Sequence, residues 1–101
     1  MTRRYVITTP ANIDLEDILR RVADLSGFDK SDRFLTQFTE KLKNIVSFPN
    51  LGKSRPEWGN NYRSIILDDY LIIYRVTEEL VEILRVVSGY RDLDELFKNV
   101  E

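Results

Sequence analysis

Tyr62-Arg63-Ser64-Ile65-Ile66-Leu67, Tyr70-Leu71-Ile72-Ile73-Tyr74-Arg75-Val76 and Leu80-Val81-Glu82-Ile83-Leu84-Arg85-Val86-Val87 follow one another closely. Only Asp68-Asp69 and Thr77-Glu78-Glu79 separate them. All three runs are rich in Ile, Val, Leu and Tyr, residues that fit a pleated, half-buried surface. Connections of two and three residues leave no room for a crossover, so consecutive strands turn back on themselves as hairpins. The stretch therefore predicts a three-stranded antiparallel meander, and the rest of the chain must supply what covers it.

Upstream of the meander, residues 49–61 hold two prolines, two glycines and three asparagines, which is loop chemistry. Before that loop, Phe34, Leu35, Phe38, Leu42, Ile45 and Val46 recur at helical spacing and predict a helix over 31–47. Asp29 or Ser31 is a suitable cap, and Phe48-Pro49 stops the helix because the residue before proline avoids the helical region. An earlier stripe of Leu15, Ile18, Leu19, Val22 and Leu25 predicts a helix over 10–25, with Thr9 as its cap, Pro10 at its first position and Gly27 closing it. Asp14, Glu16 and Asp17 lie early in that helix, where its dipole favours negative charge. Tyr5–Thr8 reads as a short first strand. Beyond the meander, Leu93, Leu96 and Phe97 predict a last short helix capped by Asp92. The expected fold class is α+β in two layers: an N-terminal strand, a helical hairpin, the meander and a short C-terminal helix. Both helices should lie on one face of the sheet, with Tyr5–Thr8 at an edge or beside a returning strand.

Residues 1–101 are the size of one domain. The chain has no cysteine and no histidine, which excludes disulfides, thiolate chemistry and the commonest neutral-pH base. No metal and no cofactor is expected. The longest apolar runs are far too short to span a bilayer, and Thr2-Arg3-Arg4 leads into a strand-like run rather than a signal sequence. A cytoplasmic, membrane-free protein is the expectation. A net charge of −2 lacks the basic excess of a strong nucleic-acid binder, and direct sequence-specific DNA binding is not expected. Locally, Lys53, Arg55 and Arg63 face only Glu57 within 53–63, leaving a small basic patch.

Several motifs share the order of a known superfamily. They are Thr9-Pro10-Ala11…Asp14-Leu15-Glu16-Asp17-Ile18, Phe48-Pro49-Asn50-Leu51-Gly52-Lys53-Ser54-Arg55, Asn61-Tyr62-Arg63-Ser64, Tyr70-Leu71-Ile72-Ile73-Tyr74-Arg75, and Val81 through Ser88-Gly89-Tyr90-Arg91-Asp92-Leu93. Together they resemble the ParE/RelE toxins, the ParE branch in particular, over nearly the whole chain. One departure is Ser88, where members of that branch often carry histidine. The resemblance implies a growth-inhibiting toxin of a type II toxin–antitoxin (plasmid stabilisation) system, neutralised by a cognate antitoxin. ParE-like members are associated with poisoning DNA gyrase. RelE-like members are ribonucleases that cut mRNA on the ribosome.

RNA cleavage needs a base, an acid and cations on the phosphate. RelE-like enzymes meet this need with basic residues and a C-terminal tyrosine. Arg63 and Arg91 stand at two of those basic positions. Ile65 and Leu71 stand where a lysine and an arginine would be, and Phe97 falls near the tyrosine and has no hydroxyl. Tyr90 is a displaced acid in a ribonuclease reading and a core-edge aromatic in the simpler one. The catalytic set, should there be one, is Arg63, Arg91 and Tyr90, and the residues lean towards binding. For contact with target or antitoxin the candidates are Lys53, Arg55, Arg63, Arg85, Tyr90 and Arg91, with the arginines forming a cationic strip on the open sheet face. The simpler reading pairs those arginines with Asp68, Asp69, Glu82 or Asp92. Trp58 pins its loop to the core or stacks on nucleic acid, the first being the more frequent use. Asp68-Asp69 and Glu78-Glu79 are turn residues rather than metal or acid–base sites. A third functional reading is a homologue without toxicity that only binds its antitoxin.

Overall fold

The computed structural model describes residues 4–89. Their elements run β1 (Arg4–Ile7), α1 (Thr9–Ser26), α2 (Phe28–Ser47), a 3-10 turn (Pro49–Leu51), β2 (Lys53–Ser54), β3 (Tyr62–Leu67), β4 (Tyr70–Val76) and β5 (Leu80–Ser88). The expected C-terminal helix around Leu93, Leu96 and Phe97 lies outside the described residues, as do Tyr90 and Arg91.

The five strands form one sheet in the order β1-β5-β4-β3-β2. The meander is antiparallel throughout, with Leu67 opposite Tyr70 at its first turn. Asp68 takes a left-handed φ of 53° in that turn, a conformation Asp tolerates better than most residues. The first strand sits at an edge and runs parallel to β5, pairing Arg4 with Leu80 and Ile7 with Ile83. That pairing needs a crossover, and the helical hairpin is the crossover. Between Ile73↔Arg85 and Tyr74↔Ile83 the register slips, leaving Leu84 as an extra residue and a bulge in β5.

Both helices bury their stripes on one face of the sheet. Ala11, Leu15 and Ile18 of α1 and Phe34, Phe38, Leu42 and Ile45 of α2 meet Leu67, Ile72, Tyr74, Val81, Ile83 and Val86 in one core. Alternation along the strands sends Leu71, Ile73 and Val87 to the other face, where Trp58, Tyr62 and Leu84 pack against them. Phe34 meets Tyr70 edge-on, with ring centroids 5.6 Å apart.

Three local expectations need correction. The cap of α1 is Thr8, not Thr9. Its Oγ1 accepts from the Ala11 amide at 3.3 Å, and it lies within donating distance of the Ile83 and Leu84 carbonyls at 2.9 and 3.1 Å. Thr8 thus caps the helix and ties its start to β5, which Thr9, one residue into the helix, cannot do. The second helix begins at Phe28, before either expected cap, because Gly27 alone joins the two helices with φ at 93°. Ser31 is buried instead, and its hydroxyl donates to the Leu19 carbonyl at 2.9 Å across the hairpin. Finally, the segment 49–61 is not all loop. It contains the 3-10 turn and β2, which pairs Lys53 with Ser64 and Ser54 with Arg63.

Candidate functional site

The basic segment after α2 has little strand propensity, and tertiary anchors hold it in place. Tyr74 is fully buried, and its hydroxyl donates to the Pro49 carbonyl at 2.8 Å while accepting the Gly52 amide at 2.9 Å. Arg63 stands beside Tyr74 across the strand pair, and its Nη1 donates to the Gly52 carbonyl at 2.8 Å and reaches the Asn50 carbonyl at 3.4 Å. The turn Pro49–Gly52 is therefore gripped from below through its own backbone groups. Once gripped, the chain leaves Gly52 along the edge of β3, which places Lys53 and Ser54 on the outer strand.

Burial pushes the Tyr74 phenol above its ordinary value of 10.0, while the Gly52 amide and the Arg63 charge act the other way. The folded state therefore holds this proton more tightly than the unfolded chain. Its contribution is in full force below the unfolded value and is lost as pH rises through the folded one. We expect the chain to lose stability more steeply above about pH 10 than its Tyr74→Phe variant, a comparison that cancels the other tyrosines. Urea titrations of the two proteins at stepped pH measure it, and parallel curves would show that the Tyr74 proton is not coupled to folding.

Beyond Ser54 the loop folds over the face of the sheet opposite the helices. The Arg55 amide donates to the Tyr62 carbonyl at 2.8 Å, and its Nε donates to the Ser64 hydroxyl at 2.8 Å. The guanidinium lies 4.7 Å above the Trp58 ring, with Glu57 at 3.5 Å. Trp58 in turn packs on the cluster of Leu71, Ile73 and Val87. On the same face Arg75 donates twice to Glu82, at 3.0 and 2.7 Å, and its guanidinium carbon is 5.9 Å from the Tyr62 ring centroid. The Glu82 carboxylate raises the Arg75 pKa, so the charge there is fixed.

Arg85 is engaged elsewhere. Where β1 ends, the outer edge of β5 passes under the first turns of α1. Asp14 accepts from Arg85 Nε at 2.6 Å and Nη2 at 3.0 Å, and from the Val86 amide at 3.0 Å. One carboxylate thus neutralises the guanidinium and satisfies a sheet-edge donor that no strand reaches among the described residues. The Arg85 guanidinium is held protonated more firmly than a free arginine, chiefly through its hydrogen bonds to Asp14.

The expected cationic strip is therefore not laid out as one row. Lys53 and Arg55 stay together at the β2 edge. Arg63 points to the helix side and is occupied by backbone carbonyls. Arg85 lies two strands away, with β4 between, and its partner is Asp14 rather than an acid of the turns or of β5. Tyr90 and Arg91 follow Gly89 outside the described residues. The sequence reading passed over Asp14 as a dipole acid and Arg75 as a motif letter. A signal for Arg75 was present: it stands opposite Glu82 once the meander is paired. Among the described residues no group of three or more Asp and Glu converges as a metal site.

This arrangement can be set beside known proteins. The sequence model of the family described as the ParE toxin of the type II toxin–antitoxin system, parDE, matches residues 5–93. The chain belongs to the ParE toxin family. Toxin ParE1 of Mycobacterium tuberculosis is 26% identical over 95 residues, covering 93% of this chain and 97% of that protein. Toxin ParE3 of Caulobacter vibrioides is 27% identical over 90 residues, covering 89% of this chain and 90% of that one. Among solved structures, the fold matches a chain of the chromosomal ParDE system from P. aeruginosa with a TM-score of 0.72 at 24% identity, over 87% of this chain and 96% of that one. It also matches a chain of the RelBE2 toxin–antitoxin complex of M. tuberculosis with a TM-score of 0.63 at 25% identity, over 87% and 99% of the two chains. Family membership gives the chain its class, the toxin of a type II pair. The α+β architecture is that of the ParE/RelE toxins.

Proposed function

We propose that this toxin inhibits growth by binding a cellular target rather than by cutting RNA, with DNA gyrase first among the targets and a cognate antitoxin as its controlling partner. The reading places it in the cytoplasm and in a plasmid-stabilisation type of system, where both target and antitoxin would meet it. No described helix is long and apolar enough to cross a membrane.

The observation that carries the binding reading is the occupation of Arg63. A ribonuclease would turn this guanidinium on a phosphate. Here it is committed to the Gly52 and Asn50 carbonyls, beside a buried Tyr74 that holds the same turn. The role of Arg63 is thus to display Lys53 and Arg55, and a surface so displayed suits recognition better than proton transfer. Support for the antitoxin comes from the solved neighbours, which include the RelBE2 toxin–antitoxin complex.

Induced expression is expected to stop growth, and co-expression of the polypeptide encoded beside this chain is expected to restore it. Purified chain is expected to inhibit supercoiling by gyrase, with Lys53→Glu combined with Arg55→Glu weakening inhibition by about tenfold or more. Codon-phase cleavage of a reporter message in translation extracts, lost in Arg91→Ala, would establish the ribonuclease reading instead. Growth unaffected by expression, with the antitoxin still bound, would leave a homologue that only binds its antitoxin.

A further inference from the structure

The connection between the two helices carries no polar loop. Ser26 ends α1, Phe28 begins α2, and Gly27 alone lies between them. Leu25 and Phe28 flank this junction at 78% and 80% exposure, the two most exposed large apolar side chains among the described residues. A Cβ placed on Gly27 would meet nothing within 4 Å, so the tip of the hairpin stands clear of the rest of the molecule. Single apolar side chains on a surface are ordinary, but two of this size at one projecting tip form a patch suited to contact with another surface.

Beside the tip, the hairpin and the β3–β4 turn enclose a groove of about 460 Å³. Val22, Phe34 and Tyr70 give it an apolar base continuous with the main core. Its two sides carry opposite charges: Arg21, Lys30 and Arg33 on the helices, Asp68 and Asp69 on the turn. None of these five forms an ion pair with a described residue. A groove of one sign would select a molecule of the other sign. A groove with both signs on opposite sides, next to an apolar knob and above an apolar base, is the complement of its own surroundings.

We propose that the hairpin tip is a contact between two copies of this chain, related by a twofold axis. Leu25 and Phe28 of one copy enter the groove of the other, and Lys30 and Arg33 of the first meet Asp68 and Asp69 of the second. The twofold repeats every contact in reverse, so both charged sides of both grooves find partners. A hairpin tip and one turn make a small surface, which puts the dimer in the weak class, with a dissociation constant on the order of 10 μM. Strand β2 pairs with the first half of β3, away from the β3–β4 turn, and its basic edge stays open in such a dimer. On the binding reading above, one dimer then presents two basic edges to its target; the dimer itself does not depend on that reading.

The test is sedimentation velocity on the full chain from about 1 to 200 μM, with circular dichroism to confirm that each variant is folded. The wild-type chain is expected to dimerise reversibly, and less tightly as salt is raised. Phe28→Ser changes a side chain outside the core and is expected to weaken the dimer by about tenfold or more. Two charge exchanges put like charges on both sides of the groove. One combines Asp68→Asn with Asp69→Lys, asparagine being chosen because position 68 has a left-handed φ of 53°. The other combines Lys30→Asp with Arg33→Asp. Each is expected to weaken self-association by about thirtyfold or more. Mixed together, the two exchanged proteins meet opposite charges at both repeats of the contact, and their heterodimer is expected to come within about threefold of wild-type strength. Lys43→Glu, towards the far end of α2, is the control for net charge and is expected to change nothing. A chain that stays monomeric to about 200 μM, a dimer that survives Phe28→Ser and both exchanges, or a mixture that fails to associate would each overturn the proposal. A monomer whose Phe28→Ser variant no longer stops growth would overturn it in favour of the target as occupant, and one whose variant no longer binds the polypeptide encoded beside this chain would do so in favour of the antitoxin.

Discussion

Replacing Asp14 by alanine is expected to lower the unfolding free energy by about 3 kcal/mol, the low end of the range for removing one partner of a buried pair. Both side chains are well covered, Arg85 at 28% and Asp14 at 16% exposure, but neither is sealed from water, and this argues for the low end. The loss has two sources. The Arg85 guanidinium is left without its carboxylate, and the Val86 amide loses its acceptor on an edge that β1 does not reach. Asp14→Asn separates them, because an amide oxygen still accepts the Val86 N–H while offering no charge. It is expected to lose about half as much, hydrogen bonds to charged groups contributing roughly twice the neutral ones. Urea unfolding at neutral pH measures both variants. A change below about 0.5 kcal/mol in Asp14→Ala would mean that the pair behaves as an ordinary surface ion pair and that the bulge in β5 needs no support from α1.

The sequence made some of this legible and concealed the rest for physical reasons. The bounds of β3 and β4 could be read to the residue because Asn60-Asn61, Asp68-Asp69 and Thr77-Glu78-Glu79 interrupt a dense β-branched run. The helical stripes showed much of the main core, since Leu15, Ile18, Phe34, Phe38, Leu42 and Ile45 all lie there, but Leu25 and Leu35, read into the same stripes, are exposed at the hairpin tip and on the outer side of α2. Local ambiguity defeated the caps: Thr8 and Thr9 are equally good by type, and only the Ile83 and Leu84 carbonyls decide between them. Strand β2 was illegible for a different reason. Lys53-Ser54 has no propensity for a sheet, and two anchors 11 and 22 residues away from Gly52 impose the conformation. The pairing of Arg85 with Asp14 spans 71 residues, so the nearby acids looked like better partners on the page than in space. The cationic candidates suffered most, because a linear reading counts charges while the fold uses up Arg63 and Arg85 in holding itself together.

Gly52 concentrates this dependence of the site on the fold, and Gly52→Ala is expected to cost about 3 kcal/mol, the upper end for overpacking. Its φ of −78° is open to any residue, so strain in the backbone is not the reason. The reason is space. A Cβ would sit 2.6 Å from the Tyr74 hydroxyl, 2.7 Å from the Ser64 carbonyl oxygen and 2.9 Å from a Tyr74 ring carbon. Tyr74 is fully buried and cannot swing aside, and the Ser64 carbonyl belongs to the strand that pairs with Lys53. Relief must therefore come from lifting the turn, which breaks its bonds to Tyr74 and Arg63 and releases Lys53 and Arg55 from their places. Two readouts should move together: thermal stability, and whatever activity depends on the basic edge. Adding Tyr74→Phe to Gly52→Ala removes the closest contact but not the Ser64 carbonyl, so the double variant is expected to recover only part of the loss. The sign of that recovery is the discriminating result. A double variant less stable than Gly52→Ala alone would show that the alanine is accommodated without displacing the Tyr74 hydroxyl. The Tyr74 hydroxyl would then still hold the turn in the alanine variant, and the space kept free at Gly52 would not be what holds the basic edge in place.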